Sequence, residues 1–334
     1  MTVHEGLVLV GAMPLYSKSH SWGEFVFDFS WAEAYRRHGL PYYPKLVAAT
    51  PFTPATGARL LVRPGADAPR VRRALLAAAL EAEPKASSLH VQFTTPEEAE
   101  WLGTEGLLSR LDCQFHWHNR GYASFEDFLR SFTAEKRKKA RRERRRVEEA
   151  GVRFEMRLGH ELKPAEWERV YALHASTFHR HGHEPYLNPE FFALVSACES
   201  IAPRVLLARH SGEIIATAIF FEGRDTLYGR YWGAAGDYHS LHFEACYHQG
   251  IEYCIARGLK HFEPGTQGEH KIARGFSPTL THSSHLIRER RFRNAIERYL
   301  VDERTAIRAY AADAAGHVPY REGAALPDLP PDEA

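Results

Sequence analysis

Gly258-Leu-Lys-His-Phe-Glu-Pro-Gly-Thr-Gln-Gly-Glu-His-Lys-Ile-Ala-Arg-Gly-Phe276 starts as a short strand, Lys260–Glu263, and opens into a polar loop. Between Glu263 and Phe276, two carboxylates, an amide, an imidazole, a lysine and an arginine are strung between three glycines. Glycine lets backbone approach a ligand, and an ordered loop of this composition converges polar groups on a substrate. A solvated surface loop carries polar residues too, so the surroundings must decide.

Upstream, Leu241–Arg257 has the spacing of a helix, with Phe243, Tyr247, Ile251 and Cys254 on its core face. Before it comes a hairpin of Arg204–His210 and Glu213–Phe221 across Ser211-Gly212, then a strand at Thr226–Gly233. In the first half, strands expected at 6–16, 24–30, 45–50, 58–62, 88–93 and 108–117 alternate with helices at 31–38, 69–83 and 96–103. Such alternation predicts an α/β protein built on a mixed sheet. The order strand, turn, strand, helix, strand occurs over about 6–50 and again over about 213–263, which points to two copies of one unit. The expected division is 1–120, 121–312 and a Pro- and acid-rich flexible tail at 313–334. The chain enters a strand within its first residues, so the first domain is expected to lack its N-terminal part.

The 334 residues are 44% hydrophobic and 25% charged, ordinary values for a soluble globular protein, and the net charge of +1 favours no partner. Cys113, Cys198, Cys246 and Cys254 show no paired spacing and read as reduced thiols of a cytoplasmic protein. No apolar run approaches the roughly 20 residues of a membrane span, and there is no signal peptide. The charge is unevenly spread. Lys136-Arg-Lys-Lys-Ala-Arg-Arg-Glu-Arg-Arg-Arg146 lies in a helix expected over 125–150 and surrounds it with cations. Lys136, Arg137, Lys138, Lys139, Arg141 and Arg142 are the candidate contacts to a polyanion, with Glu135, Glu143, Glu148 and Glu149 as competing partners.

Strand alternation puts Tyr228, Arg230 and Trp232 on one face of the 226–233 strand, a wall in which Arg230 binds an anion. Packing of an edge strand explains the same pattern. His242 and Gln249 share another face of the 241–257 helix. His239, His242, Glu244 and His248 lack an H-E-x-x-H pattern, so no metal is expected. Tyr16–Glu24 and Pro51–Gly57 are two further polar loops with glycine and proline at strand ends.

Together, Tyr42-Tyr-Pro-Lys-Leu46, Pro51-Phe-Thr-Pro54, Leu227-Tyr-Gly-Arg-Tyr-Trp-Gly233, Leu241-His-Phe-Glu-Ala-Cys-Tyr247 and Phe262–Phe276 resemble the bacterial FemAB-like N-acyltransferases over about residues 10–310. Thr266 stands where relatives carry alanine. The resemblance implies two GNAT-like acyltransferase units in tandem and transfer of an acyl or aminoacyl group to an amine, such as that of a peptidoglycan-type precursor. On that reading Glu269 or His270 is the base, with Glu244 in reserve. Tyr228, Arg230, Trp232, His242, Gln249, Glu263, Gln267, Lys271 and Arg274 bind substrate, Lys271 and Arg274 through its anionic group. A GNAT that uses acetyl-CoA carries a Gly-rich pyrophosphate loop after its fourth strand. Here that link, Ala234–Ser240, holds one glycine and an aspartate. Aminoacyl-tRNA is therefore favoured over acyl-CoA as co-substrate, and no tightly bound cofactor is expected. The alternatives are an acyl-CoA-dependent N-acetyltransferase and a non-catalytic module that binds RNA or a cell-wall precursor. The acceptor is a small molecule or peptide amine, and the oligomeric state is not legible.

Overall fold

The structure, a computed structural model, describes residues 1–266 and 268–323. It divides into two compact units, residues 1–114 with 280–311, and residues 115–279 with the chain from 312.

The first unit contains β1 (Thr2–Glu5), β2 (Val8–Ala12), β3 (Tyr16–Lys18), β4 (Lys45–Ala48), β5 (Leu61–Val62), β6 (Ser88–Thr94) and most of β13 (Ser277–Ile287). Its helices are α1 (Phe29–Arg37), α2 (Ala68–Ala82), α3 (Pro96–Thr104) and most of α10 (Arg290–Ala315). β1, β2 and β5 form a small antiparallel sheet, and the larger sheet runs β3-β4-β6-β13. β4 and β6 are parallel, with α2 as the crossover. α2 and α3 each begin with a capping side chain, Asp67 or Thr95, followed by proline in the first turn.

The segment expected as one strand at 6–16 instead starts with a turn at Gly6, φ +62°, which folds β2 back on β1, and it ends at the first residue of β3. The expected strand at 24–30 is loop leading into α1. The expected boundary is corrected at 280–311, which belongs to the first unit. The reason is that β13, unforeseen from sequence, pairs with β6 at His285↔His90 and Leu286↔Leu89. Ile296 and Leu300 of α10 then pack with Trp31, Tyr35 and Tyr42. The described part of the expected tail is anchored in the second unit. Tyr320 is buried, its hydroxyl donates to the Gly275 carbonyl, and the Arg321 N–H donates to Ser131 O.

The second unit holds β8 (Arg153–Leu158), β9 (Arg204–His210), β10 (Glu213–Glu222), β11 (Thr226–Ala234) and β12 (His261–Glu263). β7 (Leu108–His118) contributes Phe115–His118 to it, and the strand order is β7-β12-β11-β10-β9-β8. The expected helix 125–150 breaks at Ser131–Thr133 into α4 (Phe125–Arg130) and α5 (Ala134–Glu149). α6 (Pro164–Arg180) and α7 (Pro189–Ser196) follow. The helix expected at 241–257 is α8 (Leu241–Phe243) and α9 (Gln249–Arg257), joined by a π-turn at Glu244–His248. α6 lies directly on β11 at Gly233, where a Cβ would stand 2.0 Å from the Leu173 carbonyl oxygen. Among the described residues, no helix is long and apolar enough to cross a membrane.

Candidate active site

β11 and β12 pair in parallel at Thr226↔His261, Leu227↔Phe262 and Tyr228↔Glu263, and the pairing then ends. Opposite β10, the register passes from Ile219↔Tyr231 to Phe220↔Gly229, so Arg230 is the extra residue of a β-bulge. The bulge cancels strict alternation. Arg230, Tyr231 and Trp232 all line one cavity of about 460 Å³, whereas Tyr228, expected beside them, does not. The other walls are Ala218–Phe220 of β10, His242, Cys246 and Tyr247 of the helix, and the loop from Pro264 to Lys271.

The π-turn explains how one helix serves two surfaces. His242, Cys246 and Tyr247 face the cavity, while Glu244 and His248 are buried beside α4 and α5. The Glu244 carboxylate accepts from His248 Nδ1 at 2.9 Å, Gln249 Nε2 at 2.8 Å and Arg144 Nε at 3.1 Å. Burial pushes its pKa up, and these partners outweigh burial and hold it low. Glu244 and Gln249 are therefore spent on helix packing, and neither lines the cavity.

Lys271 is 2% exposed, and its Nζ donates to the carbonyls of Gly265 at 2.7 Å and Thr266 at 3.0 Å. Burial pulls its pKa down from 10.5 to about 7. His270 Nε2 lies 2.8 Å from the Tyr247 hydroxyl. Burial, then Lys271 and Arg274, depress the imidazole, so the neutral ring accepts from Tyr247. Gly268, at φ +105°, admits this ring: a Cβ there would stand 2.3 Å from His270 Cε1. His242 packs edge-on to Trp232 at 5.3 Å and Tyr247 at 5.4 Å, and burial brings its pKa to about 4. The Arg230 guanidinium sits 5.0 Å from the Tyr231 ring centre, with its pKa lowered by desolvation.

Of the other expected residues, Arg274 does not reach the cavity. It is 7% exposed, stacks 3.4 Å from the Phe243 ring centre, donates to His270 O at 2.7 Å and pairs with Glu143 at 3.1 Å. Its work is to fasten the site loop to α5. Glu269 is exposed and Glu263 buried, and neither lines the cavity. Gln267 lies outside the described residues. Cys246, Tyr247 and Tyr231 were not singled out as site residues. Tyr247 reads as core from helical spacing; Cys246 and Tyr247 reach the cavity wall from the π-turn, and Tyr231 follows the bulge, its ring packed on His174 and Phe192.

α5 buries Ala140 and Val147 and half-buries Lys136, Arg137, Glu143 and Arg144. Arg144 also reaches Glu252 at 2.7 Å, and Arg141 pairs with Glu126. Lys138, Lys139, Arg142 and Arg145 are exposed, and among the described residues they make no ion pair.

The fold resembles three solved structures. The C-terminal domain (DUF2156) of a putative lysylphosphatidylglycerol synthetase from Agrobacterium fabrum aligns at TM-score 0.55 and 12% identity, covering 83% of this chain and 84% of that one. L-PGS from Bacillus licheniformis aligns at 0.54 and 12%, covering 79% and 82%. FemX aligns at 0.53 and 11%, covering 89% of each. The tandem α/β architecture is the expected one. No curated protein matches the sequence significantly. Residues 1–322 match the FemAB-like family, described as peptidoglycan biosynthesis/recognition, and the chain belongs to that family.

Proposed function

We propose that the protein is an N-acyltransferase that moves an acyl or aminoacyl group from an activated donor to an amine acceptor at the β11–β12 cavity, the acceptor being a peptidoglycan-type precursor. The observation that carries this reading is Lys271, a buried amine with a pKa of about 7 in the wall of a cavity that also presents the His270–Tyr247 pair and Arg230. The acceptor nitrogen attacks the donor carbonyl, forms the new C–N bond and gives up a proton to neutral Lys271. The tetrahedral oxyanion is met by Arg230. The C–O bond to the donor then breaks, and its oxygen takes the proton back from Lys271. His270, held by Tyr247, orients the acceptor amine. Aminoacyl-tRNA suits this site better than acyl-CoA. The link Ala235–His239 is exposed and holds one glycine, while the outer face of α5 offers Lys138, Lys139, Arg142 and Arg145 to a phosphate backbone.

Transfer of label from a charged tRNA pool to amine acceptors, including a muropeptide amine, tests the proposal. Wild type should transfer, Lys271→Met should lose about 100-fold or more, and Glu269→Gln should keep activity. Full activity in Lys271→Met overturns the assignment of the base. Transfer from acyl-CoA alone overturns the choice of donor.

A further inference from the structure

Ser21–Phe29 in the first unit is turned inside out. Ser21, Glu24 and Asp28 are buried, whereas Trp22, Phe27 and Phe29 are 58%, 49% and 41% exposed. The inversion is built in. Lys45, wholly buried on β4, donates from Nζ to Ser21 Oγ at 2.8 Å, to Glu24 Oε2 at 2.9 Å and to Asp28. The Tyr42 hydroxyl donates to Asp28 at 2.6 Å, and Gln92 Nε2 donates to Glu24 at 2.8 Å. Asp28 stands at the N-cap of α1 and spends its carboxylate on Lys45 and Tyr42 instead of on the helix. Gly23 and Phe25 take left-handed conformations, φ +77° and +60°, which lets the polar side chains turn inward. Outside, Trp22 and Phe29 lie 5.5 Å apart, and Phe27 and Phe29 are stacked at 6.1 Å. Arg110 fixes the Phe27 carbonyl at 2.9 Å. The aromatic face is therefore held in place by a buried ion cluster.

We infer that this face docks on a lipid bilayer surface at headgroup depth. Two observations select that partner. The exposed parts of the three rings amount to about 300 Å², taking about 200 Å² for a whole aromatic side chain. A stable protein interface needs about 800 Å² per side. The patch is too small for that, and it is an exposed cluster of the ring types that settle at membrane–water interfaces. Second, Glu24 and Asp28 are the only acids from Tyr16 to Ser30, and both are buried. No carboxylate of this segment faces anionic headgroups: His20 is exposed, and the half-buried Lys18 caps Glu24 Oε1 at 3.3 Å and holds the Trp22 carbonyl at 2.8 Å.

The full chain is sedimented with phosphatidylcholine vesicles, with and without phosphatidylglycerol. Wild type should pellet, and Trp22→Ser/Phe27→Ser/Phe29→Ser should partition about tenfold less or weaker, with an unchanged circular-dichroism melt. Independently of that variant, brominated lipid should quench a fluorescence component present in wild type and missing from Trp22→Phe. Wild type left in the supernatant overturns the inference, as does equal pelleting of the triple variant. Binding that survives in the triple variant but fails when α5 is neutralised assigns the membrane contact to α5 and also overturns it. So does a dimer in light scattering that the triple variant loses, together with no vesicle binding.

Discussion

Replacing Lys271 by methionine separates a buried proton carrier from an ordinary loop lysine. The side chains have similar length and volume, so packing is largely kept. What changes is the charge and two hydrogen bonds, to Gly265 O and Thr266 O. Lowering the pKa from 10.5 to about 7 means that burial costs the protonated form about 5 kcal/mol. Above pH 10.5 the lysine is neutral in both folded and unfolded chains, and the cost vanishes. As pH falls towards 7 the unfolded chain takes up a proton that the folded chain refuses, so the wild type loses about 1.4 kcal/mol per pH unit. Below 7 both states are protonated and the full cost is present. Methionine carries no such term, but it forfeits the two hydrogen bonds, together worth about 3 kcal/mol. The variant should therefore be more stable than wild type by about 2 kcal/mol at pH 6 and less stable by about 1 kcal/mol at pH 9. Urea unfolding at several pH values measures the difference. Two parallel curves between pH 7 and 9 would refute the depressed pKa and, with it, the proton-carrying role.

Gly233→Ala places a methyl group 2.0 Å from the Leu173 carbonyl, backbone against backbone, and should cost at least about 3 kcal/mol in urea unfolding. Gly236→Ala, which meets only Tyr238 at 3.6 Å, should stay within about 0.5 kcal/mol and serves as control. Replacing Lys138, Lys139, Arg142 and Arg145 by glutamine should weaken RNA binding and flatten the log–log salt dependence by about 3, read by fluorescence anisotropy. An unchanged slope removes α5 from the polyanion surface. Lys45→Met leaves Asp28 buried without its cation and Glu24 with Lys18 alone, and should cost about 3 kcal/mol or more at neutral pH. That cost should shrink in acid as Asp28 is neutralised, and a pH-independent loss would contradict it.

Repetition of strand and helix signals made the α/β class and the tandem plan readable, because an Ala- and Leu-rich segment such as Pro69–Glu83 buries one helical face, Val71, Leu75, Leu76 and Ala79. Chain segments that fold back across long separations were less legible. β13 reads as polar because Ser283 and His285 are buried through hydrogen bonds: His285 meets His90 at 2.6 Å and Ser283 at 2.9 Å. Glu24–Ser30 alternates like a strand, but its alternation sorts acids inward and aromatics outward around Lys45. At the site, the loop 263–276 and the helix 241–257 were recognisable by composition. Which of their residues face the cavity depends on one bulge at Arg230 and one π-turn at Glu244–His248, and neither leaves a period in the sequence.

The two buried lysines show how neighbours, rather than residue type, assign a role. Each follows a parallel strand or lies within one: Lys45 on β4, beside β6, and Lys271 beyond β12, which pairs with β11. Lys45 meets two carboxylates and a hydroxyl, so its charge is matched and the cluster acts as a clasp. Asp28 answers in kind. Burial pushes its pKa up, but Lys45 and the hydrogen bonds from Lys45, Ser21 and Tyr42 bring it below the ordinary value. The stability this gives is complete above the usual carboxylate range and is lost as pH falls through the lowered pKa. Among the described residues Lys271 meets only carbonyl oxygens, which hydrogen-bond to the amine and leave its charge unmatched. Its stability term rises through the range above pH 7, where the clasp has long been saturated. A buried lysine with acids at hand is thus useful for holding a segment in place. A buried lysine without them must trade its proton, which a transfer to an amine requires and a structural clasp does not.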